Sequence, residues 1–324
     1  MIIFTGGQVN LPSRVEIVEV GPRDGLQSLP QHFSTEKKIA MIDALAATGI
    51  SRIEATSFMR AETVPQLADA ESVLAGLRRG DGCTFRALVA NRRGMERALA
   101  TGVREVVLLA TASERYVKMN QNTSLEGNLV ALQLAVEAAG ESSIRLVGAI
   151  AMSIFCAYEG PVEIARTLEI VRRYAEMGVT ELSLATSTGV EGPAEVYRLV
   201  SAVLDAFPAT KVGVHLHNAN GMALANAMAA MQAGATALES SIGGIGGGIR
   251  LPGGDQDHGN VATEDLVHLC LELGVETGVS LPAVLEASGE IEGMLGIPFK
   301  SYAARGATKD GLMASARTAG WEGR

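Results

Sequence analysis

Two short stretches of this chain carry side chains whose types and spacing suit metal-assisted chemistry. The first is VEVGPRDGLQ, residues 18–27, where Arg23 and Asp24 follow an apolar, β-rich run. A carboxylate so placed can bind a hard cation, and the adjacent guanidinium can stabilise an oxyanion forming on a substrate. A turn closed by a surface ion pair fits the same residues equally well. The second stretch is Val214-His215-Leu216-His217-Asn218. Residues i and i+2 of a strand face the same side, so both imidazoles can aim at one point, as a divalent transition metal requires. With only 5 histidines in the chain, a pair at this spacing carries weight.

Residues 24 and 215 meet only if the architecture brings them together. Short apolar runs at Val15–Val20, Arg52–Thr56, Thr84–Val89, Glu105–Leu109, Ile144–Ala151, Glu181–Leu184, Lys211–His215 and Ala237–Glu239 read as strands. Between them lie helical patterns at Thr35–Ala47, Val64–Leu77, Arg92–Ala100, Leu125–Ala139, Pro161–Met177, Ala194–Ala206 and Gly221–Ala233, with an eighth at Thr263–Leu273. Gly49, Gly102, Gly178 and Gly234 follow helix ends, where glycine is the expected cap. Strict βα alternation implies parallel strands, and eight such units favour a closed (β/α)8 TIM barrel over an open sheet. No linker divides the chain. The expectation is one domain, 1–324, with a barrel over about 14–275 and a C-terminal helical extension over about 280–324.

Composition agrees with that architecture and excludes other roles. Hydrophobic residues make up 47% and aromatics only 4%, which suits a parallel sheet covered by small-residue helices. The net charge of −9 and the lack of a basic run argue against nucleic acid or an anionic membrane as partner. Cys83, Cys156 and Cys270 form no CxxC pair, which points to a reducing compartment and a cytoplasmic location. The opening MIIFTGGQVNLPSR does not read as a secretory leader, and no apolar stretch reaches the roughly 20 residues of a membrane span.

A third stretch, SSIGGIGGGIRLPGGDQDHGNVATED, follows the last strand. Its glycines superficially match a dinucleotide fingerprint, but that motif belongs after the first strand of a βαβ unit. Close backbone approach to a substrate, or a mobile lid, suits it better. In a closed barrel the first, seventh and eighth strands are neighbours. Asp24, His215, His217 and Asn260 then fall on one arc of the rim and can supply four ligands, leaving two positions for a chelating substrate. Such mixed oxygen and nitrogen ligation suits Mg, Mn, Zn, Co or Fe(II). Glu54, ending the second strand, can reach Arg23 or the substrate, or form a structural salt bridge.

VEVGPRDGLQ, RIEATSF, NRRGMERALATGVREVVLLATASE, HLHNANGMALANAMAAMQAGA and GNVATEDLVHLCLELGVETGVSL together resemble the 3-hydroxy-3-methylglutaryl-CoA lyases, from about Val15 to Val279. The resemblance implies Asp24, His215, His217 and Asn260 as ligands of a divalent metal, with Mg or Mn foremost. It implies Arg23 at the enolate oxygen, and Glu54, Gln27 and Glu264 as supporting or substrate-contacting residues. The implied reaction is retro-Claisen cleavage of a 3-hydroxyacyl-CoA, and relatives are often homodimers. The chain also departs from the family. Gly248 stands where the family's loop carries a proton-transferring cysteine, and the loop onward to Asn260 is about three residues longer, with Arg250, Asp255, Asp257 and His258. Ala185 is assigned to an acidic family position, and Asn218 replaces an aspartate. His258 and a water are the replacement acids considered. Cys156 matches a family position and either lines the pocket or packs in the core. Lys300 and Arg305 are contacts for CoA, or solvent-facing charges. Two other readings stay open: a Claisen-condensing acyltransferase, and a degenerate barrel that binds metal or CoA without turnover.

Overall fold

Every expected apolar run forms a strand within about two residues of its expected bounds. These are β1 (Glu16–Glu19), β2 (Arg52–Ser57), β3 (Thr84–Val89), β4 (Glu105–Thr111), β5 (Arg145–Ala151), β6 (Glu181–Thr186), β7 (Lys211–Leu216) and β8 (Ala237–Ser240). In the computed structural model, which describes residues 10–78, 80, 82–247 and 259–318, all eight run parallel. They close into a barrel in the order β1-β8-β7-β6-β5-β4-β3-β2. β8 pairs with β1 through Leu238↔Ile17 and with β7 through Glu239↔His215, which puts three site-bearing strand ends side by side.

The helices α1 (Thr35–Ala46), α2 (Ala70–Gly76), α3 (Arg92–Thr101), α4 (Glu114–Gln121), α5 (Leu125–Ala139), α6 (Ile164–Glu176), α7 (Pro193–Ala206), α8 (Ala223–Gln232) and α9 (Thr263–Glu272) surround the strands. α10 (Leu281–Leu295) packs against α1 and α9, and α11 (Tyr302–Arg305) and α12 (Lys309–Thr318) follow. The core is one continuous layer of Ala, Val, Leu and Ile between helices and strands. No described helix is long and apolar enough to cross a membrane.

Three helical expectations need correction. The pattern Val64–Leu77 is broken: a 3₁₀ turn at Pro65–Leu67 precedes α2. Lys38 Nζ holds Gln66 O and Asp69 Oδ1, and Thr35 takes Asp69 Oδ2, so Asp69 makes no capping bond and the turns stay separate. α6 begins at Ile164 because Pro161 pairs with Phe155 in a two-residue hairpin. α4 was not foreseen. Its N-cap Ser113 accepts from Tyr116 N at 3.0 Å, and left-handed Asn122 ends it after only 8 residues.

Candidate metal centre and its cavity

β1 leaves the barrel in a single π-helical turn, Gly21–Gly25, in which the N–H groups of Asp24 and Gly25 both reach Val20 O, at 2.7 and 3.4 Å. Wide turns of this kind re-aim side chains and recur at functional sites. Its glycines are demanded by crowding. A Cβ at Gly21 would lie 2.6 Å from Glu19 Oε1, and one at Gly25 2.6 Å from Ile245 Cγ1. The turn is thereby pressed against the segment that follows β8, and Asp24 is carried to β7.

On β7 the two imidazoles lie 4.9 Å apart, centroid to centroid, with planes at 63°. Asp24 Oδ2 is 3.9 Å from His215 Nε2 and 3.8 Å from His217 Nε2. One ligand atom from each of the three buried residues lies within 4.8 Å of the others, close enough for one ion. Asn260 is tied to His217 by an antiparallel bridge, with Asn218 N donating to Gly259 O at 2.9 Å. Asn260 Nδ2 donates to Asp24 Oδ2 at 2.8 Å, while its Oδ1 is buried without a hydrogen-bond partner among the described residues. A buried amide oxygen lacking a donor, beside a carboxylate and two imidazoles, completes a donor set that fits a divalent cation.

Behind these four stand two residues that sequence reasoning missed. Glu239 Oε2 lies 2.9 Å from His215 Nδ1, a contact that orients the ring with Nε2 toward Asp24. Arg86, 1% exposed, lies 2.7 Å from both Glu239 Oε1 and Glu54 Oε2. Glu54 in turn accepts from Arg23 Nε, and Arg23 Nη1 donates to Asp24 Oδ1 at 2.7 Å. The result is a closed circuit: Arg23, Glu54, Arg86, Glu239, His215, Asp24. Two guanidiniums against three carboxylates leave one net negative charge with neutral imidazoles, which favours a cation.

The electrostatics follow from this circuit. Burial opposes ionisation of Asp24, yet Arg23, His215, His217 and the Asn260 hydrogen bond outweigh it and hold the carboxyl well below the usual range. Burial likewise works against the Glu239 carboxylate, and Arg86 and His215 overcome it. Burial lowers the His215 pKa, but Glu239 and Asp24 raise it further, above the ordinary imidazole value. Glu19 differs. Burial pushes its carboxyl up to about 7, although it accepts from Gly21 N, Ile242 N and Thr263 Oγ1 at 2.6, 3.0 and 2.6 Å. It ties the π turn to the turn after β8.

A cavity of about 840 Å³, measured out to its mouth, opens over the circuit. Arg23, Asp24, Gln27, Glu54, His215 and His217 form one side. Leu88, Val107, Leu109, Ala149, Ala151 and Ala185 add apolar surface to the lining, with the hydroxyls of Thr111, Tyr116, Ser183 and Ser187 and the amide of Asn120 among them.

Other expected residues fall elsewhere. Glu264 does not reach the cavity: buried under the turn after β8, it accepts from Gly243 N at 2.9 Å and from Ser288 Oγ. It lies in the first turn of α9, where α10 supplies its partner, a packing that the sequence alone did not reveal. Lys300 is exposed at the rim, its N donating to Gly243 O at 2.9 Å and its Nζ near Gly259. Arg305 Nη2 donates to Phe299 O. Cys156 is buried against Ser113 Oγ at 3.1 Å, outside the cavity lining. Asn218 Oδ1 accepts from Ala223 N at 3.1 Å at the start of α8, a task an aspartate would also perform. Gly248, Arg250, Asp255, Asp257 and His258 lie outside the described residues.

The closed barrel and the charged arc at its rim define a TIM-barrel protein with a candidate divalent-metal site. Residues 14–291 match the HMGL-like family model, and the chain belongs to that family. It is 39% identical over 289 residues to the mitochondrial hydroxymethylglutaryl-CoA lyase of Homo sapiens, covering 89% of this chain and 88% of that one. It is 38% identical over 290 residues to the hydroxymethylglutaryl-CoA lyase YngG of Bacillus subtilis, covering 90% and 96%. Among solved structures, an HMG-CoA lyase from Acinetobacter baumannii in complex with coenzyme A and 3-methylmalate superposes with a TM-score of 0.87. That pair is 32% identical, over 95% of this chain and 98% of the other.

Proposed function

We propose that the protein is a divalent-metal-dependent acyl-CoA lyase that cleaves a 3-hydroxyacyl-CoA, either 3-hydroxy-3-methylglutaryl-CoA or a related 3-hydroxy dicarboxylyl-CoA. The observation that carries this reading is the convergence of Asp24, His215 and His217 beside Arg23 in one cavity. Coenzyme A bound to the A. baumannii relative supports the substrate class. Asp24, His215, His217 and Asn260 would hold the cation, Mg or Mn in this reading. When bound, it supplies Lewis-acid polarisation of the substrate oxygens.

The chain's own residues do the rest. Glu54 and Asp24 lock the Arg23 guanidinium so that its free edge faces the cavity, where it stabilises the charge that develops on the thioester oxygen. Glu239 keeps His215 oriented. The substrate hydroxyl loses its proton and its oxygen becomes a carbonyl. The C2–C3 bonding pair moves onto the thioester as an enolate, and C2 then takes a proton. Gln27 lines the substrate side, and Lys300 at the rim is the residue offered to CoA phosphates. The three cysteines are free, which fits a reducing, cytoplasmic setting.

The test is incubation of purified protein and Mg or Mn with a panel of 3-hydroxyacyl-CoA thioesters, read as release of acetyl-CoA or another acyl-CoA. No release from any member would overturn the proposal. Thiol release requiring both acetyl-CoA and a 2-oxo acid would point instead to condensation.

A further inference from the structure

Cleavage between C2 and C3 leaves an electron pair at C2, and the product forms only when a proton is delivered there. Few described groups of the cavity can deliver it. Glu54 and Glu239 are each engaged by guanidinium groups, and Asp24 is held ionised. Arginine does not give up a proton in proteins. His215 and His217 belong to the proposed ligand set. The remaining hydroxyls are Thr111, Ser183, Ser187 and Tyr116, and the phenol is the strongest acid among them.

Tyr116 is also well placed. It lies in the first turn of α4, just beyond β4, three strands round the closed barrel from β1 and the π turn that carries Arg23 and Asp24. Its backbone N–H is fixed by Ser113 Oγ at 3.0 Å, and its ring leans on Tyr158 with centroids 6.4 Å apart. Its hydroxyl makes no hydrogen bond to a described residue. An enolate whose oxygen rests on Arg23 therefore lies in a cavity that the Tyr116 side chain also lines.

We propose, resting on the lyase reading above, that Tyr116 is the general acid that protonates C2 of the thioester enolate. The enolate pair forms the new C2–H bond as the phenol O–H bond breaks, leaving a phenolate. Water at the cavity mouth returns a proton to the phenolate, and the proton lost earlier by the substrate hydroxyl passes to solvent, so the cycle is balanced. Burial, with the neighbouring Tyr158 and Asp24, pushes the phenol up to about 12, so it stays protonated at neutral pH.

The test is Tyr116→Phe in the full chain, which deletes only the hydroxyl. Three quantities are read: turnover of a 3-hydroxyacyl-CoA with Mg or Mn, binding of Mn alone by calorimetry, and exchange of the C2 protons of acetyl-CoA for deuterium in D₂O. The expected result is a fall of about 100-fold or more in kcat and in exchange, the scale of general acid catalysis. KM and Mn affinity should stay within about twofold. Turnover and exchange within about threefold of wild type would overturn the proposal. So would a loss of Mn affinity parallel to the loss of rate, since that marks a structural role. If the wild-type protein shows neither cleavage nor exchange, the lyase reading itself falls, and the proposal with it.

Discussion

Arg86→Met tests the circuit beneath the metal centre most directly. Arg86 is 1% exposed and lies 2.7 Å from Glu54 and from Glu239, whose side chains are 0% and 6% exposed. Methionine keeps most of the stem's volume, so the main loss is the charge. Removing one member of a buried ion pair costs about 3–5 kcal/mol, because the partner is left uncompensated. Here Glu54 keeps Arg23 and Glu239 keeps His215, which argues for the lower end, about 3 kcal/mol. The assay is urea unfolding of metal-free protein in chelator, followed by circular dichroism at pH 8 and pH 3. The pH supplies a second check on sign. In the wild type the Glu239 carboxyl is depressed, so its contribution is present above the unfolded value and lost as pH falls toward the depressed one. The variant lacks the largest attraction behind that depression, and its folded pKa rises. The gap between the two proteins is therefore widest at pH 8 and narrows at pH 3, below the unfolded value of 4.5. A loss under about 1 kcal/mol, or an equal gap at both pH values, would show that Arg86 acts as packing volume alone.

Three further outcomes follow from the same geometry. The His215 pKa is raised above the ordinary imidazole value in the metal-free protein, so as pH falls a cation competes with a proton for it. Calorimetric Mn affinity should fall about tenfold from pH 8 to pH 6, with proton release seen as a buffer-dependent enthalpy; equal affinities at both would refute this. Gly246→Ala places a side chain at φ +136° and drives its Cβ into Asn260 Nδ2. The strain is about 1–3 kcal/mol, and Mn affinity should drop at least tenfold; unchanged affinity would remove Asn260 from the proposed ligand set. Glu19, with its carboxyl raised to about 7, adds stability fully present below its unfolded pKa and lost as pH rises through 7. Glu19→Gln, which keeps the acceptor for Gly21 N and Ile242 N, should therefore be the more stable protein at pH 8, by up to about 3 kcal/mol. An advantage that is the same at pH 5 would contradict that reasoning.

The barrel was legible because parallel strands buried on both faces read as unbroken apolar runs, each separated by an amphipathic helix and often a capping glycine. Closure then made residues 24 and 215 neighbours without any further information. Arg86 and Glu239 were not legible for the complementary reason. Each is a single charge inside an apolar strand, TFRALV or ALES, and its meaning depends on register and on reach across the barrel. The pairings Glu54↔Arg86 and Glu239↔His215 belong to the shear of the closed sheet, which one sequence does not state. For Glu264 the sequence left open whether it supports the site or contacts the substrate, and it lies on the supporting side. Four residues after Asn260 it reads as part of the site, but α9 begins at Thr263 and turns its carboxylate back toward Gly243 and α10.

The division of the barrel interior explains why the charged circuit can exist at all. Buried charges persist only when each is paired and hydrogen-bonded. Here the six members come from five strands or the turns that follow them, β1, β2, β3, β7 and β8, and apart from the adjacent Arg23–Asp24 pair every partner is supplied by a different strand. Ala149, Ala151 and Ala185 on β5 and β6 carry no charge and leave open space instead. The charged members of the cavity lining gather on β1, β2, β7 and β8, while β4, β5 and β6 contribute only neutral side chains to it. Fixed charge gathered on one arc of the rim would orient a substrate in the proposed reaction before any bond is broken.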